Sequence, residues 1–191
     1  NFANKVSKEW DSKITKLHAQ KYPVVDLHTH LKDVLTMKQA LKRSRKYGIN
    51  YGIAANCGLK FPITKDEQLY EYIQKMDKYP VFTAMQAEGR EWVDLFSPDT
   101  IAMADYVFTD AMTWTNDNGK RMRLWMSEET YIKTPQNFME QLTDEIVGVA
   151  NEPIDIYVNP TFLPEKIRPE YDELWTDARI NKIVQALKKN N

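Results

Sequence analysis

The stretch VVDLHTH, residues 24–30, decides how this chain folds. Its first half is an apolar run with the length of a buried strand, and two histidines follow where that strand ends. Side chains alternate along a strand, so Asp26, His28 and His30 are predicted to share one face and to approach its C-terminal end. In parallel (β/α) barrels the functional sites lie at that end of the strands.

A pattern of apolar run, loop and capped helix recurs along the chain, which is typical of parallel βαβ units. Helix starts are indicated by capping-box spacing after Thr36 and Thr64, and by prolines that follow Ser97 and Thr134. Gly48 indicates a helix end. The five predicted strands cover residues 24–28, 49–55, 81–87, 106–109 and 154–158.

These patterns predict an α/β fold, a distorted (β/α) barrel that is incomplete at its C-terminus. Five strands account for the 191 residues, whereas closed barrels of this kind have about seven or eight. Residues 1–22 are predicted to form an amphipathic N-terminal helix, and residues 23–191 the partial barrel with a β-hairpin near 113–125. We expect a further C-terminal segment or a second copy of the chain to cover the open edge.

Composition narrows the classes of function. Lys and Arg number 26 against 27 Asp and Glu, with no basic stretch of the kind that binds nucleic acid. No apolar run is long enough to span a bilayer, so we expect a soluble protein without a membrane partner. Cys57 is the single cysteine, which excludes an internal disulfide or a cysteine-rich zinc site. The compartment stays open between the cytoplasm and, after removal of a signal peptide, the periplasm or exterior.

The pair His28 and His30 is the strongest candidate site. Two imidazoles on one strand face can chelate a divalent ion such as Zn²⁺, Mn²⁺ or Fe²⁺, and Asp26 one step deeper can orient an imidazole. A histidine that only satisfies a core hydrogen bond is the alternative interpretation. His18, within the N-terminal helix, is expected to be a surface residue.

The other predicted strand ends carry Asn56, Glu88, Asp110 and Asn159. Glu88 is a candidate metal ligand, or else a partner of Arg90, and Asp110 is a candidate general base. The two asparagines are poor zinc ligands, so they are expected to bind substrate or to cap turns.

Basic side chains on the loops that leave the strands suggest an anionic substrate. Arg90 is expected to bind and orient the anion during catalysis. The alternative interpretation is that these basic side chains are only solvated surface residues at the rim of the site. The other candidates are Lys60, Arg121 and Arg123.

The motif Asp26-Leu27-His28-Thr29-His30 resembles the first motif of the PHP (polymerase and histidinol phosphatase) family, and Ala87-Glu88-Gly89 resembles its bridging-glutamate motif. The resemblance implies a (β/α) barrel of PHP type with a centre of two or three metal ions that hydrolyses phosphoesters. The family usually has histidines where this chain has Asn56, Asp110 and Asn159. The amidohydrolase superfamily also opens with His-x-His, but it has a lysine and further histidines that this chain lacks.

We therefore expect a metal-dependent hydrolase, most simply a phosphoesterase that acts on a small anionic substrate. Two alternatives stay open. One is a ligand-binding protein without catalysis, on a barrel that has lost ligand histidines. The other is a metal hydrolase of the amidohydrolase type.

Overall fold

The computed structural model describes the backbone of residues 2–190 and the side chains of residues 11–190. The strands in chain order are β1 (Val24–Thr29), β2 (Ile49–Gly58), β3 (Phe82–Glu88), β4 (Tyr106–Thr109), β5 (Thr113–Thr115), β6 (Arg121–Arg123) and β7 (Ile156–Tyr157). The helices are α1 (Phe2–Ala19), α2 (Met37–Tyr47), α3 (Asp66–Met76), α4 (Trp92–Leu95), α5 (Pro98–Ile101), α6 (Pro135–Val149), α7 (Tyr171–Leu174) and α8 (Asp177–Lys189).

One parallel sheet organises the molecule. It has five strands in the order β1, β2, β3, β4, β7, and it curls through 239° into an open half-barrel. The predicted α/β fold with an incomplete barrel is confirmed. β1 and β7 are the two edges of this sheet, and each leaves one row of backbone groups outside the ladder.

The concave face of the sheet changes from apolar to polar along each strand. On β3 the residues at alternate positions, Ala84, Gln86 and Glu88, share that face, while Met85 and Ala87 pack in the cluster beneath the helices. The small residue Ala54 and the large ring of Phe108 fill the lower part of the concave face. Polar side chains therefore gather at the C-terminal ends of the strands.

Tyr106 connects strands β4 and β1 across the half-barrel. Its hydroxyl donates to the Leu27 carbonyl of β1 at 2.6 Å, across the concave face. A Cβ on Gly52 would overlap that hydroxyl, so glycine is required there. The neighbouring Phe108 ring lies 4.6 Å from the His28 ring, centroid to centroid. Residues of β4 thus contact β1 directly, which supports the curvature of the sheet.

Most of the predicted helix ends are confirmed, and one is wrong. Thr36 and Gln39 form the reciprocal capping box of α2, and Gly48 ends that helix in the left-handed conformation at φ 67°. At Thr64 the prediction is wrong, because α3 starts after Lys65, which makes no capping hydrogen bond. The Thr64 backbone N–H and hydroxyl instead donate to Gln68 Oε1.

The predicted hairpin is confirmed. β5 and β6 pair in antiparallel fashion, with Trp114 opposite Met122, and both side chains are buried. Gly119 occupies the turn at φ 71°. Arg121 anchors the hairpin to the rest of the fold by donating to Glu91 and to the Leu59 carbonyl.

The predicted N-terminal helix corresponds to α1. Ile14 and Leu17 line an apolar groove of about 440 Å³ with Val24 and Ile49, the first residues of β1 and β2, so α1 lies at the bottom of the half-barrel. The side chains of residues 1–10, which belong to the predicted amphipathic helix, lie outside the described side chains. None of the described helices combines the length and the apolarity that crossing a bilayer requires.

Candidate functional site

A cleft of about 590 Å³ opens at the C-terminal ends of the parallel strands. It is lined by polar residues from every strand end of the sheet: His28, His30, Asn56, Gln86, Glu88, Asp110 and Asn159. The parallel arrangement brings together side chains that are far apart in the sequence, because all the strands end at the same side. The structure therefore gathers most of the residues that the sequence singled out.

The two histidines form the first side of the cleft. Their ring centroids are 5.3 Å apart. His30 Nδ1 lies 3.0 Å from the Ala54 carbonyl oxygen, which can only accept, so Nδ1 carries the proton and Nε2 is left to face a ligand. Burial, followed by the nearby charge of His28, lowers the pKa of His30. This oriented, neutral imidazole has the form in which histidine binds metals.

Glu88 is the most buried acid of the cleft, with 3% of its surface exposed. Its Oε1 accepts from Asn56 at 2.7 Å and from Gln86 at 3.0 Å, and its Oε2 accepts from Thr113 at 3.4 Å. Burial, followed by the charge of Asp110, raises the pKa of Glu88 to about 8. Glu88 therefore holds a proton at neutral pH unless a cation enters the cleft.

Asp110 is also buried, and its two oxygens have separate partners. Oδ1 accepts from the Met112 backbone N–H at 2.9 Å, and Oδ2 accepts from Asn159 at 3.0 Å. Asn159 has a positive φ of 52°. Burial raises the pKa of Asp110, which makes this carboxylate a better proton acceptor than an exposed aspartate.

Two other predicted residues have contacts that differ from their expected roles. Asp26 accepts from the His28 backbone N–H at 3.3 Å, and among the described contacts it has none with an imidazole. Arg90 pairs with Glu152 at 2.8 Å and donates to the Asp110 carbonyl and the Thr109 hydroxyl. Arg90 is not among the residues that line the cleft.

The remaining basic candidates line a separate, smaller depression of about 200 Å³. It contains Lys60, Arg121 and Arg123 together with Phe61 and Glu129. Arg123 pairs with Glu129, and Arg121 pairs with Glu91. These acids offset much of the positive charge that was expected to receive an anion.

Several lining residues were missed by the sequence analysis. Lys32 and Lys75 bring positive charge to the cleft, and Gln86 lines it beside Glu88. Lys32 could have been found, since it continues the alternation of His28 and His30. Lys75 could not, because nothing in α3 marks a residue that faces the strand ends.

The donors in the cleft fit a divalent ion in their chemistry, with two imidazoles and two buried carboxyls. Within the part of the chain that the structure describes, however, no three side chains among His, Cys, Asp and Glu are grouped closely enough to hold an ion. An ion site built from this cleft thus needs a third donor of another type, or a rotation of Glu88 or Asp110.

Comparison of this chain with protein-family models, with curated proteins and with solved structures finds no significant match. The cleft is therefore described only by its own fold, a five-stranded parallel half-barrel with interleaved helices. The residues of the cleft are thus the basis for assigning a function.

Proposed function

We propose that this chain carries the active site of a metal-dependent hydrolase of PHP type, which cleaves a phosphoester in a small anionic substrate. The observation that carries the proposal is the convergence of His28, His30, Glu88 and Asp110 on one cleft at the strand ends. Burial raises the pKa of both Glu88 and Asp110, even with the charge of Arg90 nearby. Two buried carboxyls of this kind favour the entry of a cation.

His28 and His30 would hold the ion, and Glu88, after rotating toward it, would add a carboxylate that loses its proton when a cation binds. A divalent ion bound there supplies Lewis-acid polarisation of the scissile bond. Asp110 accepts a proton from the attacking water, which its raised pKa favours. Arg90 acts on Asp110 as a positioning residue through the Asp110 carbonyl. Lys32 and Lys75 attract the anionic substrate at the rim.

Elemental analysis of the purified chain, after incubation with Mn²⁺ or Zn²⁺ and desalting, tests the proposal. The chain should retain about one ion or more, whereas His28→Ala/His30→Ala should retain almost none. His18→Ala is the matched control, because His18 contacts the Tyr47 carbonyl and is not among the residues that line the cleft. Equal metal content in all three proteins would contradict the proposal.

A ligand-binding protein without catalysis is the second candidate. It is favoured by the hydrogen bonds that Asn56, Gln86 and Asn159 make to the two carboxyls, since these amides already stabilise the carboxyls without an ion. This candidate predicts no tightly held metal. It also predicts no metal-dependent hydrolysis of p-nitrophenyl phosphate, which the hydrolase should show.

A further inference from the structure

Gln86 is the one polar side chain of the cleft that is buried and incompletely bonded among those described. It is 5% exposed, and its Oε1 has no hydrogen-bond partner. A buried acceptor without a partner costs about 1–3 kcal/mol. Such a group at the wall of a polar cleft points to a ligand that supplies the missing interaction.

The orientation of the Gln86 amide is fixed by Glu88. Gln86 Nε2 and Asn56 Nδ2 both donate to Glu88 Oε1. Turning the amide over would set Gln86 Oε1 against a carboxyl oxygen that already accepts from Asn56, which is repulsive. The amide oxygen therefore has to point away from Glu88.

Gln86 also contacts His30 side chain to side chain, an interaction that favours the protonated imidazole. The ring of His30 uses Nδ1–H for the Ala54 carbonyl, so a neutral His30 has no proton on Nε2 to donate to the Gln86 amide oxygen. An amide oxygen and an imidazole nitrogen, both able to donate an electron pair, thus adjoin on one wall of the cleft. His28 stands next to them, with its ring centroid 5.3 Å from that of His30.

We propose that Gln86 Oε1 is a further ligand of the ion site, beside His28 and His30, and that this amide oxygen contributes more to the binding of Mn²⁺ than to that of Zn²⁺. The inference rests on the proposed function, since it concerns the same ion. It accounts for the lack of a third histidine, cysteine or acid at coordinating distance in the described residues. Carbonyl oxygens are typical ligands of Mg²⁺, Ca²⁺ and Mn²⁺, whereas zinc prefers imidazole and thiolate.

Titration calorimetry of the full chain with Mn²⁺ and with Zn²⁺ tests this assignment. Gln86→Met keeps the length of the side chain and removes the oxygen. It should weaken Mn²⁺ binding on the order of tenfold or more, and Zn²⁺ binding less. Gln86→Glu replaces the oxygen with a charged one and should bind Mn²⁺ at least as tightly as the unaltered chain.

Asn56→Leu is the matched control, because it removes the other donor to Glu88 Oε1 and leaves the Gln86 oxygen in place. Equal loss of Mn²⁺ affinity in Gln86→Met and Asn56→Leu would overturn the assignment, since Gln86 would then act only through Glu88. Should Gln86→Met fail to fold, Gln86→Asn withdraws the oxygen by one methylene and should show the same loss of Mn²⁺ affinity.

The result also separates this inference from the proposed function. If His28→Ala/His30→Ala loses the ion while Gln86→Met binds both metals normally, the hydrolase proposal stands and the role of Gln86 is refuted. If the unaltered chain binds neither metal, both are refuted.

Discussion

At the scale of single residues, the burial of Glu88 determines how the cleft responds to pH. The raised pKa, about 8 in the fold, exceeds the ordinary value of 4.5. A carboxyl with a raised pKa stabilises the fold fully below its unfolded pKa, and this contribution is lost as the pH rises through the folded pKa. Without a metal ion, the free energy of unfolding should therefore fall between about pH 4.5 and pH 8.

Glu88→Gln should remove most of that pH dependence. The new amide keeps one acceptor for Asn56 and Gln86 and turns its N–H group to the Thr113 hydroxyl, so the hydrogen bonds survive. Urea unfolding in the presence of a chelator should find the variant more stable than the unaltered chain at pH 9, by up to a few kcal/mol. The two proteins should differ little at pH 4.5. Glu140→Gln, at an exposed position, is the control and should follow the unaltered chain.

Arg90 provides a second prediction at this scale, because the structure gives it a partly buried ion pair. Its partner Glu152 also accepts from the Trp92 indole at 2.7 Å. Arg90→Met leaves Glu152 partly buried without a cation and should lower the free energy of unfolding by about 3 kcal/mol.

Adding Glu152→Gln to Arg90→Met should recover a large part of the loss, since the unpaired charge is then gone. Urea unfolding measures both variants. A loss of hydrolysis in Arg90→Met at unchanged stability would instead support the direct contact with substrate that the sequence suggested.

At the scale of elements, the hairpin depends on Asn116, which the sequence analysis did not single out. The turn itself comprises Asp117, Asn118 and Gly119. In the structure Asn116 Oδ1 also accepts from the backbone N–H groups of Asn118 and Lys120, at 3.1 and 3.0 Å. The Asn116 side chain, which immediately precedes the turn, thus stabilises it by two hydrogen bonds to the backbone.

Asn116→Ala should free both N–H groups and destabilise the hairpin by about 1–2 kcal/mol. Hydrogen exchange of the β5 and β6 amides should accelerate, while exchange in β2 and β3 should not change. Asn118→Ala is the control, because the Asn118 side chain is exposed and only its backbone joins the turn. Equal acceleration in both variants would contradict this role of Asn116.

The elements also show where sequence patterns suffice. Period-two alternation was enough to place Glu88 at a strand end facing the cleft, and glycine and capping residues located the ends of α2. The same alternation puts Gln86 on the concave face. The sequence does not show, however, that the amide oxygen of Gln86 lacks a hydrogen-bond partner. That property follows from the contacts with Glu88 and Asn56, which are formed only in the fold.

At the scale of the whole molecule, the half-barrel leaves apolar surface at its open side. Val25 of the edge strand β1 is 49% exposed, and Ile156 and Val158 line the groove beneath it with Ile14 and Leu17 of α1. An uncovered edge with apolar neighbours favours association. We predict that the 191-residue chain associates with itself as its concentration rises, and sedimentation velocity measures this.

Val25→Lys should weaken the association, because a charged side chain on an edge strand opposes pairing with another chain. Val184→Lys offers a comparison on α8, where the valine is 37% exposed and does not line the groove. It should sediment like the unaltered chain. Monomers at all concentrations, or the same effect from both substitutions, would count against a second copy as the cover of this edge.

The bond from the Tyr106 hydroxyl to the Leu27 carbonyl bears on the order in which the protein is made. The first 106 residues of the sequence contain both groups. They also contain Gly52, whose lack of a side chain leaves room for the Tyr106 hydroxyl. A ribosome that has released β4 from its exit tunnel has therefore already supplied everything that this contact requires. Curvature can be set during translation, before β7 is synthesised, so that later segments dock on a surface whose shape is already determined.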